Sequence, residues 1–353
     1  MKCARFAQTL TCYCVALGWI LCVSFSVGLS IRTLAAQTQG ERASWYAPGW
    51  GRRIPITIER PNASVGATDY QVRVEVGRRP EMQERCQDLR FTASDGVSEL
   101  PFWIASEGPE SVLAWVRVPD LPASGKGRVY LYYGNRKASP ASNGRRTFEF
   151  FDDFSTNTLD FYDRLDHESA KYNDRIVWDA EHGRLHITSD RDSGRELVLR
   201  KVRLKDAYVQ VDLYGTRGYP EWWYDPNYST VALSLRRTGG GDCYSAAFGY
   251  SAGAYPAIFR KVKGGREPAA KLEKSRPLRL NRWHTIGFGV SGDRLDLFLD
   301  GEKLLSCQDP NLTEAGGISV GSFQLDCYLD NLVIAKYVSP APAVTVGEPE
   351  TMR

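Results

Sequence analysis

The sequence has no excess of basic residues outside its first 36 positions. The whole chain contains 45 Lys and Arg against 42 Asp and Glu, which gives a net charge of +3. Lys2, Arg5 and Arg32 all lie in the first 36 residues, where there is no acid, and the rest of the chain has 42 residues of each sign. Nucleic-acid binding needs a basic surface. The neutral balance therefore argues against nucleic acid as a partner.

Patterns typical of two common hydrolase sites are also missing. The chain has only four histidines, and none of them stands in the His-Glu-x-x-His pattern of a helical zinc site. No set of Ser, His and Asp is favoured as a catalytic triad by its sequence context. We interpret His182 and His186 as ordinary surface or capping residues. These absences argue against zinc-protease chemistry and leave no positive indication of a serine hydrolase.

The first 36 residues have the pattern of a targeting segment. Lys2 and Arg5 precede an uncharged, largely apolar run from Phe6 to Ile31, which is a basic region followed by a hydrophobic one. The run is long enough to cross a bilayer, so the segment is either a cleaved signal peptide or a retained signal anchor. In both cases we expect the rest of the chain to be exported to the periplasm, cell surface or extracellular space. Membrane contact is expected only through this segment, if it is retained.

Apolar and polar residues alternate in many short runs, which is typical of half-buried β-strands. Such runs include Tyr70–Val76, Val112–Val118 and Tyr208–Tyr214, and Asp300-Gly301 separates two more as a hairpin turn. Short strands at this spacing predict an all-β protein with two tandem antiparallel β-sandwich (jelly-roll-like) domains behind the N-terminal segment.

Segments rich in turn residues set the predicted boundaries of these domains. A stretch of Ser, Pro, Asn and Gly over 138–144 separates a first sandwich, 45–140, from a second, 148–338. The residues 339–353 are rich in proline, and we predict that they form a disordered tail.

Four segments of the first predicted sandwich match a known pattern: Asp88–Thr92, Glu99–Trp103, Trp115–Pro119 and Tyr130–Asn135. Through them the region 45–140 resembles the family called domain of unknown function 2341. That family has no established activity, so the resemblance implies an exported or surface context and little chemistry.

The second predicted sandwich carries Phe151–Phe154, Gly183–Ile187, Arg282–Ile286 and Tyr328–Val333. Through these segments the region 148–338 resembles the laminin-G-like branch of the concanavalin A-like lectin and glucanase superfamily. The resemblance implies a jelly-roll sandwich and contact with glycans. The β-glucanases of this superfamily use a Glu-x-Asp-x-x-Glu strand, which this chain lacks. Enzymatic activity therefore stays open, with the balance against it.

Aromatic residues are concentrated in one loop of the second predicted sandwich. Sugar rings stack on aromatic rings, and Asn, Asp and Glu side chains bond their hydroxyl groups, so this loop is our candidate glycan site. If the protein is an enzyme, Glu221 and Asp225 are the candidates for acid and base. The alternative is that the aromatic rings fold back onto the protein. The predicted ligand-binding residues are Tyr219, Trp222, Trp223, Tyr224, Asn227 and Tyr228.

Cysteines and aspartates give two further structural expectations. Four cysteines lie outside the targeting segment, and either Cys307 and Cys327 form a disulfide or all four are buried thiols.

In sandwiches of this kind the first and last strands often lie side by side. That would bring Asp152 or Asp153 near Asp330 as ligands for a structural calcium ion. The alternative is that these acids point into water and that no cofactor is bound.

Three functional hypotheses follow from the sequence. The first is an exported cell-envelope or surface protein that binds glycans, without catalysis, through the C-terminal sandwich. The second is a glycoside hydrolase-like enzyme with an unrecognised carboxylate pair. The third is a structural spacer at the cell surface. A polysaccharide or glycan is the expected partner under the first two hypotheses.

Overall fold

The computed structural model describes residues 44–60, 67–121, 123, 125–167, 175–189, 194–218, 230–250 and 254–352. Within these ranges it contains 24 β-strands, the four-residue helix α1 (Gly144–Thr147) and one 3-10 turn at Leu159–Phe161. The predicted all-β class of antiparallel sandwiches is confirmed. No helix among the described residues is long and apolar enough to cross a membrane. The segment 1–36 lies outside the described residues.

The first two sheets contain nine strands. Sheet 1 contains β1 (Arg52–Glu59), β3 (Arg90–Thr92), β4 (Glu99–Leu100), β7 (Lys126–Tyr133), β23 (Ala343–Val346) and β24 (Glu350–Thr351). Its order is β23-β1-β7-β3-β4, with β24 also paired to β1. Sheet 2 contains β2 (Ala67–Gly77), β5 (Phe102–Glu107) and β6 (Ser111–Leu121), in the order β2-β6-β5.

The other two sheets contain fifteen strands. Sheet 3 contains β8 (Phe150–Asp152), β10 (Arg175–Asp179), β11 (Arg184–Thr188), β13 (Ala207–Gly218), β18 (Trp283–Ser291), β19 (Arg294–Leu299), β20 (Glu302–Gln308) and β22 (Leu325–Lys336). Its order is β10-β11-β22-β13-β18-β19-β20, with β8 beside β22. Sheet 4 contains β9 (Tyr162–His167), β12 (Gly194–Leu199), β14 (Thr230–Arg237), β15 (Cys243–Gly249), β16 (Ala257–Val262), β17 (Gly265–Lys271) and β21 (Gly317–Phe323). Its order is β17-β16-β15-β14-β21-β12-β9.

Along many of the strands every second side chain is apolar, and these side chains pack together between neighbouring sheets. Ile56 of β1 and Val74 of β2 belong to the core between sheets 1 and 2. Val211 of β13 and Leu233 of β14 belong to the core between sheets 3 and 4. A third, smaller core lies between sheets 2 and 3. The four sheets are therefore stacked in the order 1, 2, 3, 4.

The third core is mostly aromatic, and we call it the aromatic interlayer. Trp103 and Trp115 of sheet 2 pack against rings on and beside sheet 3, with ring centroids 5.1 Å apart for Trp103 and Phe151 and 5.9 Å apart for Trp115 and Tyr208. Such ring pairs contribute beyond the area they bury. The interlayer comprises Trp103, Trp115, Phe148, Phe151, Tyr208, Phe298, Val333, Ala335 and Tyr337.

Two glycines of β18 make room for the interlayer. A Cβ atom at Gly287 would lie 2.4 Å from the hydroxyl of Tyr208, and one at Gly289 would lie 2.6 Å from the ring of Tyr337. Both separations are shorter than a carbon atom allows. Since side chains are absent at these two positions, both tyrosine rings can lie flat over β18.

A buried carboxylate fixes the end of sheet 3 nearest the interlayer. Asp296 is 0 % exposed and accepts hydrogen bonds from the hydroxyls of Tyr337 (2.7 Å), Ser339 (2.8 Å) and Ser306. Burial raises the pKa of Asp296, but these hydrogen bonds and the nearby Lys303 outweigh it and hold that pKa below its ordinary range. The ionised carboxylate therefore holds the chain in place where it leaves sheet 3.

The prediction of a disordered tail over 339–353 is wrong. The chain returns to sheet 1, where Ala343–Val346 pairs with β1 and Glu350–Thr351 pairs with the start of the same strand. The side chain of Arg53, only 7 % exposed, bonds Glu350 at 2.6 Å. Proline content misled the prediction, because the unpaired edge of β1 accepts the short strands that lie between the prolines.

The predicted Cys307–Cys327 disulfide is also wrong. All four cysteines of the described residues are free thiols. Cys307 lies on β20 and Cys327 on β22, and β13, β18 and β19 stand between these two strands. Four strand spacings amount to about 19 Å, which is far beyond the reach of a disulfide.

The paired tail predicts a measurable contribution to stability. Removal of residues 343–353 is expected to lower the free energy of unfolding by on the order of 2–4 kcal/mol, because β1 loses its partner and the half-buried Val344 and Val346 leave the core. Urea unfolding followed by tryptophan fluorescence measures this. Removal of Arg353 alone is the control. An unchanged midpoint after the longer deletion would contradict the pairing.

Candidate functional site

Sheet 3 has one face in the core and one face turned toward sheet 2. On β13, Val209, Val211 and Leu213 point into the core between sheets 3 and 4, so the alternate residues lie on the outer face. Tyr208, on that outer face, lies under the interlayer. Farther along β13, Asp212 and Tyr214 are only partly buried. The outer face of sheet 3 is thus half covered by sheet 2, and we call the remainder the open face.

Five cross-strand neighbours form a row across the open face. The row crosses β10, β11, β22, β13 and β18, so it is about 19 Å long at ordinary strand spacing. Two of the few exposed large hydrophobic side chains of the described residues, Val177 and Trp283, stand at its ends, with 45% and 42% of their surface exposed. In order, the row consists of Val177, His186, Tyr328, Tyr214 and Trp283. Four of the five side chains carry rings, and we call the whole set, Val177 included, the aromatic row.

Ring contacts hold the middle of the aromatic row in place. The imidazole of His186 stacks on Tyr328 with centroids 4.3 Å apart, and its Nε2 lies 2.6 Å from an oxygen of Asp326. The guanidinium of Arg184 lies 3.8 Å from the centre of the Tyr328 ring. Tyr214 and Trp283 meet at 5.4 Å. The row is therefore a preformed surface whose most exposed ring is Trp283.

Carboxylates lie beside the aromatic row on the same face. Asp212 stands directly opposite Asp330 on one side and Thr285 on the other. Its two oxygens accept hydrogen bonds from Thr285 Oγ1 (2.6 Å) and Asn331 Nδ2 (3.0 Å). Asn331 has a φ of 49° at a register shift between β13 and β22. This irregularity keeps Asp330 on the open face while Leu332 returns to the core.

Burial makes this carboxylate pair harder to ionise. It raises the pKa of Asp330 to about 6, and the nearby Asp212 and Asp153 act in the same direction. Burial also raises the pKa of Asp212, although Thr285 and Asn331 oppose it. One member of such a pair can hold a proton near neutral pH, so the pair can both donate and accept hydrogen bonds.

A cleft opens where the open face meets sheet 2. Its volume is about 580 Å³, and Trp103, Trp115 and Tyr208 form aromatic walls on both sides. Asp212 and Thr285 are among its lining residues. On their strands they stand two positions from the aromatic-row residues Tyr214 and Trp283. The cleft and the aromatic row are therefore continuous.

A second cavity lies on the outer face of sheet 4. It measures about 370 Å³ and is floored by small residues, among them Ala232, Ser245 and Gly321. Ser319 belongs to a Gly-x-Ser-x-Gly run, Gly317–Gly321, which is the spacing of a hydrolase nucleophile and which the expectation of no serine-hydrolase pattern overlooked. The run lies inside strand β21, and Ser319 is buried and donates its hydroxyl to Glu196. It therefore does not form the strand-to-helix turn that exposes such a nucleophile.

The predicted aromatic loop lies outside the described residues. Glu221 and Asp225, the candidate acid and base, belong to the same segment. The segment leaves sheet 3 at Gly218, which is four residues after Tyr214 of the aromatic row, and joins sheet 4 at Thr230. The predicted ligand-binding residues within it are Tyr219, Trp222, Trp223, Tyr224, Asn227 and Tyr228.

The aspartates predicted to bind calcium are not grouped as a metal site. Strand β8 pairs with β22 as expected, but Asp152 stands opposite Leu332. The carboxylate of Asp152 is buried and bonds the hydroxyls of Thr158 (2.6 Å) and Tyr162 (2.7 Å). In the part of the chain that the structure describes, no three His, Cys, Asp or Glu side chains are arranged to hold a metal ion. Asp153 and Asp330 contribute to no such group.

Residues 85–178 match a known family model. The family is described as domain of unknown function (DUF2341). The match begins later than the resemblance over 45–140 and continues into the second sandwich, so it includes Trp103, Trp115, Phe148 and Phe151 of the interlayer. No curated protein sequence matches this chain.

Several solved structures are similar in fold. A carbohydrate-binding module, CBM66, from Bacillus subtilis is 15% identical, with 46% of this chain and 92% of that chain covered and a TM-score of 0.39. A galectin-like protein of unknown function from the same species is 10% identical, with 54% and 96% covered and a TM-score of 0.41. A β-glucanase from Bacillus licheniformis is 10% identical, with 54% and 98% covered and a TM-score of 0.38. Likenesses of this size carry no information on ligand or activity.

Most residues of the open face were not among the predicted site residues. The alternation in Tyr208–Tyr214 correctly indicated which residues of β13 share a face, but it gave no neighbours. His186, Tyr328, Tyr214 and Trp283 come together only through the strand order of sheet 3. Asp330 was singled out for calcium, whereas the structure places it opposite Asp212.

The raised pKa of Asp330 predicts a pH-dependent stability. Its folded-state value of about 6 exceeds the ordinary value near 4, so stability is lost as pH rises from about 4 to about 6. Asp330→Asn removes this loss. The variant is expected to be more stable than wild type by about 1–2 kcal/mol at pH 7, after reduction for solvent screening, and equal to it at pH 4.

Urea unfolding at both pH values measures this difference. Asp293→Asn, which changes an exposed aspartate outside the open face, is the matched control and should have little effect at either pH. A stability difference for Asp330→Asn that is the same at pH 4 and pH 7 would contradict the assignment.

Proposed function

We propose that the protein is an exported cell-envelope or surface protein that binds glycans, without catalysis, on the open face of sheet 3. The observation that carries the proposal is the aromatic row, with an exposed Trp283 at one end and carboxylates along its side. Export is proposed from the N-terminal segment alone. We also propose that the second sandwich belongs to the concanavalin A-like lectin and glucanase superfamily, in its laminin-G-like branch.

The chemistry of the open face suits a polysaccharide. Sugar rings have apolar faces that pack on aromatic side chains, and their hydroxyls bond carboxylates. The aromatic row supplies rings, and Asp212, Asp330 and Asp326 supply acceptors beside them. Because the row crosses five strands of a rigid sheet, its residues need little ordering when a ligand binds. An extended glycan chain can therefore lie along the row.

The segment 219–228 is part of the same proposal. It begins beside the open face, where β13 ends at Gly218, and its composition is that of a glycan-binding loop. Trp222 and Trp223 would add rings to those of the row. Binding then depends on two groups of residues that can be tested separately.

Loss of Trp283 is expected to weaken glycan binding by about tenfold or more. A polysaccharide and glycan-array screen on residues 37–353, with calcium and again with a chelator, identifies the ligand. Titration of that ligand against Trp283→Ala and Tyr214→Ala then measures how much the aromatic row contributes to the binding affinity. A Trp222→Ala/Trp223→Ala variant measures the contribution of the segment 219–228 to the same affinity.

Phe161→Ala is the matched control, because Phe161 is an aromatic residue with 51% of its surface exposed that lies outside the row. It should bind as wild type does. Unchanged affinity in both Trp283→Ala and Tyr214→Ala would exclude the open face. An absence of binding to every glycan would contradict the proposal and favour a structural spacer.

A glycoside hydrolase is the second candidate, and the Asp212–Asp330 pair favours it. Directly opposite residues have Cβ atoms about 5 Å apart, which is compatible with the roughly 5 Å between the carboxyl groups of retaining glycosidases. The pKa of about 6 at Asp330 suits a general acid. Under this hypothesis Asp330→Asn removes turnover of the bound glycan and leaves its affinity nearly intact. A complete absence of turnover by the wild type would exclude it.

A further inference from the structure

We propose that the cleft between sheets 2 and 3 is a subsite for an acidic saccharide unit, whose carboxylate is bound by Arg73 and Arg282. The proposal rests on the glycan binding proposed for the open face and names the class of sugar. It is carried by the cavity itself and by two arginines on its walls that have no partner within the described part of the protein.

The cleft has the size and the walls of a small-molecule site. Its volume of about 580 Å³ lies in the range of ligand pockets. Trp103 and Trp115 form one wall, and Tyr208 and Phe298 form the other. A sugar ring in the cleft therefore meets aromatic rings at the edge of the interlayer.

Two arginines reach the cleft without a partner. Arg73 extends from the outer face of β2 toward the hairpin at Gly301, with its Nη2 3.2 Å from the position of a Cβ there. Arg282 immediately precedes β18 and lines the same cavity. Among the described residues neither guanidinium has a hydrogen-bond or ion-pair partner. Both can therefore take a ligand.

The acids of the cleft, in contrast, are already bonded within the protein. Asp212 accepts from Thr285 and Asn331. Asp300 accepts from the backbone nitrogen of Thr285 (2.9 Å), and its other oxygen lies 3.0 Å from Nδ1 of His284. Glu75 accepts from the hydroxyl of Ser111 (2.9 Å).

The two lysines that line the cleft are bonded as well. Lys303 pairs with Asp296 at 3.2 Å, and Lys336 donates to a backbone oxygen at 2.8 Å. The two guanidinium groups are thus the cations of the cleft that have no partner within the described part of the protein. Guanidinium is the group best suited to a carboxylate, because it can donate two parallel hydrogen bonds.

The position of the cleft connects it to the aromatic row. Asp212 and Thr285 line the cleft, and each stands two positions from a residue of the row on its strand. A glycan chain that lies along the row can therefore place one unit in the cleft. An acidic unit is favoured there, since its carboxylate can accept charge-assisted hydrogen bonds from the guanidinium groups, whereas the hydroxyls of a neutral unit make weaker ones.

A set of variants separates the cleft from the row. The probes are an oligosaccharide of galacturonic acid and the same oligosaccharide as its methyl ester, titrated by calorimetry at physiological ionic strength. Wild type is expected to bind the acid at least tenfold more tightly than the ester. Arg73→Gln/Arg282→Gln is expected to abolish this preference without weakening the binding of the ester. Arg73→Lys/Arg282→Lys is expected to restore it in part.

Arg128→Gln is the matched control, because Arg128 is an exposed arginine on β7 of sheet 1. It should keep the full preference for the acid. Trp283→Ala is expected to weaken the binding of the acid and of the ester equally, since the Trp283 ring carries no charge. Both arginines are exposed, so the double variant should fold, and circular dichroism checks this.

Each outcome decides between the two levels of the proposal. Equal affinity of wild type for the acid and the ester would overturn the proposal of an acidic-sugar subsite in the cleft, but not the proposal of glycan binding. A preference that survives in Arg73→Gln/Arg282→Gln, or poly-glutamate binding as tight as that of the acidic sugar, would also overturn it. If the wild type binds neither these two probes nor any glycan of the array, the proposed function itself is contradicted.

Discussion

The structure depends on the burial of two apolar sheet faces against each other. Sheet 2 has only three strands, and its outward residues include Trp103 and Trp115. Left in water, that face would expose a large apolar patch. It is buried on the half of sheet 3 that carries Tyr208 and Tyr337. The two sandwiches therefore share a core, and residues 43–353 form one compact unit.

The same packing creates the proposed binding surface. Sheet 2 covers only part of the outer face of sheet 3, so the rest stays open next to a wall, and the boundary between them is the cleft. Glycines at 287 and 289 let Tyr208 and Tyr337 lie flat, whereas larger residues at neighbouring positions build the aromatic row. The alternation of small and large residues on β18 thus separates the part of the sheet that packs from the part that remains accessible.

Sequence periodicity predicted the strands well because side-chain direction in a strand is a local property. It identified β2, β6 and β13 and the class of fold. It did not predict which strands become neighbours, and for that reason the Cys307–Cys327 bridge was wrong and the row of His186, Tyr328 and Trp283 was missed. The tail was misjudged for a similar reason, since pairing of 343–346 depends on a free edge of β1 that lies almost 300 residues earlier.

Calorimetric unfolding of residues 37–353 tests most directly whether the two sandwiches are one body. If they are, a single transition is expected, in which the calorimetric and van't Hoff enthalpies agree. Trp115→Ala, which opens the interlayer, should lower its midpoint or divide it in two. Two separate transitions in the wild type would contradict the account, because the open face and the cleft would then have no fixed wall beside them.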